Sequence, residues 1–263
     1  MSQRSYVRAL AIGAAGLTAA FTAPTAFASA APSHAAIVSA PLAGQESHLA
    51  HGLSKLSSTT VESSNWSGYA ATGSSGAFTS VSASWTQPTL TCTSKTTYSS
   101  YWVGLDGYSN SALEQTGTEA DCIGGKATYG AWWEVLPASE SAYSVTVKAG
   151  DSLSASVVYN GSSSFTMTLT DSTQGWTKTT THAGSSGFQD SSAEVIAEAT
   201  DVNGSIAKLS DFGTASFTNA TADGNSLASY SPNEIIMEGS SDVKAQPSAI
   251  SGGSFSVAWK NYS

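Results

Sequence analysis

From Val61 onward the chain reads as a succession of short runs in which apolar and polar residues alternate. Phe165, Met167 and Leu169 fall on one side of their run, with Thr between them; Phe255, Val257 and Trp259 repeat the pattern. A period of two is what a strand with one buried face requires, because successive side chains point to opposite faces. Such runs predict strands at 81–88, 100–107, 127–137, 143–147, 152–160, 164–171, 175–181, 193–198, 212–220, 233–239 and 254–260. Turn-forming clusters, among them Asn160-Gly161, Asp223-Gly224-Asn225 and Ser251-Gly252-Gly253, separate them. No ten-residue window carries a helical stripe, and no repeat of fixed period is present. The pattern predicts an all-β chain of roughly 11–14 strands, folded as an antiparallel two-sheet β-sandwich in a single domain over 61–263.

The first sixty residues have a different texture. Arg4 and Arg8 precede an apolar stretch, Ala9 to Phe21, and Ala28-Ser29-Ala30 offers a small-residue cleavage site. This is the layout of a secretory signal peptide over 1–30, and the apolar stretch is short of the ~20 residues a membrane span needs. Residues 31–60 follow without clear strand or helix periodicity and read as a pro-segment or linker. They carry His34, His48 and His51, three of the chain's four histidines. The expected product is secreted, extracellular, free of the membrane once the leader is removed, and monomeric.

Charge narrows the chemistry. Both arginines lie in the leader, so 61–263 holds seven lysines against 18 acids, a formal charge of −11. Tracking phosphates needs clustered Lys and Arg, which excludes nucleic acid as a partner. A carboxylate-rich surface suits work in acid, where partial protonation relieves self-repulsion. Cys92 and Cys122 form an even pair in an exported chain and are expected to be bridged.

The same scarcity removes the common hydrolytic centres. A Ser–His–Asp triad would have to use His182, which sits in a Ser/Thr-rich strand end and reads as a surface residue. Zinc catalysis needs about three protein ligands, and one His with two paired Cys does not supply them. A bridged pair also leaves no thiolate nucleophile. Carboxylate chemistry remains. The Asp-Thr/Ser-Gly repeat of an aspartic dyad is absent, whereas a paired-carboxylate arrangement stays open to Asp106, Glu114, Glu134, Glu194 and Glu198.

Six ordered blocks are more specific: SSNWSGYAATG (63–73), YWVGLDG (101–107), EQTG (114–117), YGAWWEVLP (129–137), AEVIAE (193–198) and DFGTASFTNA (211–220). Together they closely resemble the glutamic peptidases, or eqolisins, in their bacterial form, across essentially all of 61–263. The resemblance implies a concanavalin-like sandwich of two large antiparallel sheets. It implies peptide-bond hydrolysis in acid by a secreted enzyme made with a pro-segment, acting on protein or peptide substrates without cofactor or metal. The family's catalytic Gln falls on Gln115, and its catalytic Glu, the last residue of the AEVIAE block, falls on Glu198. Its groove residues fall on Trp66, Trp102, Asp106, Trp132 and Glu134. The chain departs from the pattern at Glu114, where an apolar residue usually precedes the Gln, at Gly130, and at Val135 and Leu136, which replace aromatics.

These two residue types make sense in acid. A general base must keep an ionised fraction at the working pH. Histidine, with a reference pKa near 6.5, is fully protonated at about pH 3–4, while a Glu with a reference near 4.3 still offers carboxylate. Strand parity supports the grouping, since Glu194, Ile196 and Glu198 share a face, as do Trp132 and Glu134, and Trp102 and Asp106. Acids mixed with large aromatics on one face read as a substrate groove. Two competing readings are a secreted carbohydrate-binding sandwich that stacks sugars on its tryptophans, and an inactive relative in which Glu114 perturbs Gln115. The pro-segment histidines suggest a pH-dependent docking onto the acidic groove, with release in acid and self-cleavage near 58–61.

Overall fold

The computed structural model describes residues 46–263; the expected signal peptide and residues 31–45, including His34, lie outside the described residues. Fourteen strands of four or more residues run through the described residues. In chain order they are β1 (Thr60–Ser63), β2 (Trp66–Thr72), β3 (Ser80–Thr86), β4 (Ser100–Leu105), β5 (Glu114–Ile123), β6 (Lys126–Val135) and β7 (Ser152–Gly161). They continue with β8 (Ser164–Asp171), β9 (Trp176–Ala183), β10 (Ser192–Glu198), β11 (Thr214–Ala222), β12 (Asn233–Glu238), β13 (Val243–Pro247) and β14 (Phe255–Trp259).

The strands pair as two layers. One is ordered β1-β12-β2-β10-β4-β5-β6. The other is ordered β14-β11-β3-β7-β8-β9, and β13 links the layers by pairing with both β12 and β14. All of these pairs are antiparallel except β1 with β12, where Val61 lies opposite Ile235. The sequence expectation of an antiparallel sandwich therefore holds, with one parallel edge that no local pattern announced.

The core forms where the alternating faces meet. Tyr69, Tyr101, Val103, Leu105 and Val195 from the first layer pack in one apolar cluster with Trp85, Val157, Phe165, Met167, Leu169 and Phe217 from the second. Fully burying side chains of this size stabilises by roughly 1.5–3 kcal/mol each, which is what orients β2, β4 and β10. These three strands are buried on both faces rather than one. Their second face is the floor of the groove described below.

The expected disulfide is present. Cys92 and Cys122 are joined, with Cα atoms 5.5 Å apart, and tie the end of β5 to the loop before β4. One expected strand is not there. At 143–147 only Ser141–Ala142 extends the sheet, opposite Trp132 and Trp133. The Tyr143 N–H donates to Ala131 O at 2.7 Å, and the Val145 N–H then turns back onto Tyr143 O at 2.9 Å, which ends the ladder. The alternation of Tyr143, Val145 and Val147 reflects packing against the core by a loop. Among the described residues no helix is long and apolar enough to cross a membrane.

Candidate active site

Antiparallel register puts directly paired residues on one face of a sheet. Trp66 pairs with Glu198, Glu198 with Ser100, Ile196 with Trp102, Trp102 with Gly117, Gly117 with Trp132, and Gln115 with Glu134. Five adjacent strands, β2, β10, β4, β5 and β6, therefore present Trp66, Glu198, Trp102, Gln115, Trp132 and Glu134 on a single face, away from the core. The parity argument from sequence groups Glu198, Trp102, Trp132 and Glu134; Trp66 and Gln115 are expected here from the family resemblance.

The floor of that face is the Trp102 indole. At one end its Nε1–H donates to Glu198 Oε2 at 2.7 Å. At the other, its six-membered ring lies against Gly104; a methyl there would meet Trp102 Cζ3 at 2.9 Å and Gln115 Cβ at 3.3 Å. Gly117 is needed for the same reason, because a Cβ on it would fall 2.5 Å from Trp102 Cβ. The glycines of the WVG and EQTG blocks thus leave the room that Trp102 occupies, its ring over Gly104 of its own strand and its Cβ against Gly117 of the next. Glu198 and Gln115 flank opposite ends of that ring. Trp66 closes one side edge-on, its ring centroid 4.9 Å from that of Trp102.

Glu198 is fully buried. Burial pushes its carboxyl above the ordinary value; nearby His48 and hydrogen bonds from His48, Trp102 and Asn65 work against that push. Asn65 Nδ2 donates to Glu198 Oε1 at 2.9 Å, so each carboxylate oxygen has its own neutral donor. Gln115 Nε2 donates to Glu134 Oε2 at 2.6 Å, while Gln115 Oε1 has no partner. The Glu134 carboxyl is raised to about 8, first by burial, with the Glu198 and Glu140 charges adding to it and His48 opposing. In acid Glu134 is therefore neutral and adds no negative charge beside Gln115.

A histidine from the preceding segment occupies the groove. The His48 ring stacks on Trp132, with centroids 4.0 Å apart and planes 1° from parallel. Its Nδ1 lies 3.0 Å from Glu198 Oε2 and its Nε2 lies 3.2 Å from Glu140 Oε2. Burial alone would push His48 down; the Glu198 and Glu140 carboxylates outweigh it and hold the ring well above its usual value, as an imidazolium. The main chain of the segment is held too. Trp66 Nε1 donates to His48 O at 3.0 Å, and Asn65 Nδ2 donates to Leu49 O at 2.9 Å. Asn65 Oδ1 accepts the His51 N–H at 2.7 Å. His51 is 40% exposed and lies 3.4 Å from Asp201, outside the cleft.

Asp106 corrects the parity reading. It follows the end of β4 with a backbone φ of 69°, which breaks the alternation. Its carboxylate accepts from the backbone N–H groups of Gln189, Asp190 and Ser191, from Ser191 Oγ and from Asn110. It fixes the loop before β10 and has no oxygen left for a substrate. Glu114 lies on the opposite side of β5 from Gln115 and accepts the Ser185 N–H at 2.6 Å, so it is not in contact with the Gln115 amide by any bond of its own. His182 is an exposed residue of β9, as expected. Sequence reasoning missed Asn65, although it stands beside Trp66 in a quoted block, and missed Glu140, for which nothing local in the sequence gave a sign.

With this geometry in hand, comparison with known proteins is specific. A family profile described as the Peptidase A4 family matches residues 64–259. Aspergillopepsin-2 of Aspergillus niger is 29% identical over 232 residues, covering 78% of this chain and 81% of that protein. Among solved structures, scytalido-glutamic peptidase bound to a transition state analog inhibitor superposes with a TM-score of 0.64 at 26% identity, over 75% of this chain and 98% of that one. The aspergilloglutamic peptidase from Aspergillus niger superposes at 0.57 with 30% identity, over 62% and 99% respectively.

Proposed function

This chain belongs to the Peptidase A4 family of glutamic peptidases, and from that membership we propose that Glu198 and Gln115 are the catalytic pair of a secreted acid endopeptidase of the bacterial type. The observation that carries the reading is the extended peptide already lying in the tryptophan-lined cleft, with an ionisable side chain of that peptide placed on the Glu198 carboxylate.

The reaction follows from the atoms available. Glu198, ionised, takes a proton from a water molecule, whose oxygen attacks the scissile carbonyl carbon. Negative charge develops on the carbonyl oxygen, and the Gln115 amide, which is neutral at any pH, donates to it. The new carboxylic acid of Glu198 then returns its proton to the amine nitrogen as the C–N bond breaks. Trp102 and Asn65 keep the carboxylate oriented through both transfers. The protonated Glu134 beside Gln115 spares the oxyanion a repulsive neighbour. Digestion of casein by the full chain across pH 2–8, with product masses read, tests the activity; resistance to chelators and serine reagents is expected alongside.

The segment 31–60 belongs to this reading as an inhibitory pro-segment behind a signal peptide over 1–30. His48 fills the place a water and a carbonyl would need. Its grip requires two charges: an imidazolium, present below the raised pKa of His48, and a carboxylate, present above the raised pKa of Glu198. The clamp therefore holds between those values and weakens as pH falls through that of Glu198. Residues 54–59 are exposed and offer a cutting site near 58–61 once the clamp opens. A hydrogen bond to a charged group is worth about 1.5–3 kcal/mol, so His48→Ala is expected to shorten the lag before proteolysis at about pH 5 by roughly tenfold or more. An unchanged lag would remove His48 from the latency.

A further inference from the structure

Asn65 is fully buried, and every polar atom of its side chain is engaged. One amide proton goes to Glu198 Oε1 and the other to Leu49 O, each at 2.9 Å, while Oδ1 accepts the His51 N–H at 2.7 Å and the Ser63 hydroxyl at 3.2 Å. The orientation of the amide is fixed by its partners, because only the oxygen can face a backbone N–H and only the nitrogen can face a carbonyl and a carboxylate. Its backbone is anchored as well, by the Ala199 N–H on Asn65 O at 2.8 Å, one residue beyond the catalytic carboxylate.

The two contacts to the segment form a pattern. An extended chain shows the C=O of residue i and the N–H of residue i+2 on the same edge. A single residue of a parallel strand binds such a pair with its own N–H and C=O. The Asn65 side-chain amide does the same to Leu49 and His51, standing in for a strand partner. Neither contact depends on which side chains the bound peptide carries. Both become available to another peptide when the segment leaves, while the bond to Glu198 remains.

Resting on the reading of Glu198 as the general base, we propose that Asn65 is a substrate-binding residue that grips the main chain of an extended peptide at residues i and i+2 and ties that grip to the catalytic carboxylate. The ligand class is any extended peptide segment with a free N–H at i+2. Proline or an N-methylated residue at that position loses the bond to Oδ1.

The test is a cycle between substrate and enzyme. One synthetic peptide that the full-length chain cleaves in acid at a single bond is N-methylated at each backbone amide in turn. Each version is assayed with the parent, with Asn65→Ala and with Asn65→Asp. At one amide, methylation is expected to cost the parent roughly fivefold to tenfold in kcat/KM, the worth of one backbone hydrogen bond. In Asn65→Ala that cost falls to within about twofold, whereas in Asn65→Asp, which keeps the acceptor, it persists. The Asn65→Ala chain is also expected to lose kcat on the unmethylated peptide, because Glu198 loses a donor. Digestion of a peptide library by the parent alone gives a second reading that needs no variant: one position excludes proline while the residue before it accepts it. Methylation costs that are the same in parent and Asn65→Ala, or proline tolerated at every position, overturn the proposal. If Glu198→Gln is inactive in the same assays, that failure concerns Asn65 alone; if Glu198→Gln cleaves like the parent, the catalytic assignment falls and this one with it.

Discussion

Glu198→Gln is expected to reduce proteolysis by about a thousandfold or more at every pH from 2 to 8. The substitution keeps the shape of the side chain and can keep one acceptor for the Trp102 N–H. It removes the carboxylate that, in this reading, both takes a proton from water and gives it back to the leaving nitrogen. General acid–base catalysis by one positioned group contributes typically 10²–10⁴-fold, and here one group serves both transfers. Gln115→Ala should cost less, about 10²–10³, because it removes one oxyanion donor and leaves the base in place. The two losses should not multiply, since both residues serve one transition state. The check is the rate of appearance of casein peptides by mass, with melting curves showing that each variant is folded. A Glu198→Gln chain that cuts at the parental rate would end the assignment, and a carboxylate pair elsewhere would have to be sought.

What the sequence disclosed depended on how many faces of a strand are buried. β7 and β8 each bury one face against the core, so their alternation was plain. β2 and β5 are covered on both sides, and their residues read as buried throughout apart from the last position. A strand sandwiched between core and cleft loses its period, and β5 is polar besides, because its outer face carries Gln115 and Gly117 and its inner face carries Glu114, Thr116 and Thr118. Parity worked where the backbone stayed extended and failed at Asp106, where a positive φ turned the side chain towards 189–191. The segment before Val61 showed no clear periodicity since its described part docks by one ring, a few main-chain bonds and the irregularly spaced Leu49, Ala50 and Leu53 rather than by a regular stripe. Glu140 reaches the cleft from a loop after β6, and a residue placed by tertiary folding alone leaves no local mark.

The protein is expected to be most stable in acid and to lose its fold as pH rises from about 5 towards 8. Beside the cleft, Glu46, Glu119 and Asp121 lie buried together near Glu140. Burial, and then repulsion from Glu140 and Glu198, pushes Glu46 to about 7, while burial and the charges of Glu46 and Glu140 hold Glu119 and Asp121 well above the usual carboxylate range. Elsewhere, burial raises Glu114 to about 7, Glu134 to about 8, and Glu194 well above its ordinary value. No arginine exists in 61–263 to neutralise them, and the ammonium of buried Lys244 is taken up by Ser64 O. An acid whose folded pKa is raised binds its proton more tightly when folded. Its stabilising contribution is complete below the unfolded value near 4.3 and is lost as pH climbs to the folded value. A shift from 4.5 to about 7, as for Glu114, corresponds to about 3 kcal/mol at 1.36 kcal/mol per unit. Several such groups together reach the scale of the typical 5–15 kcal/mol that holds a domain folded. Melting temperatures followed by circular dichroism from pH 3 to 9 should therefore fall by tens of degrees above pH 5. Glu119→Gln, which keeps the shape and abolishes the charge, should flatten that slope and raise the neutral-pH melting point while changing it little at pH 4. A melting temperature that stays level from pH 4 to 8 would mean that these carboxyls find water or partners on ionising, and the acid preference of the enzyme would then have to come from Glu198 and Glu134 alone.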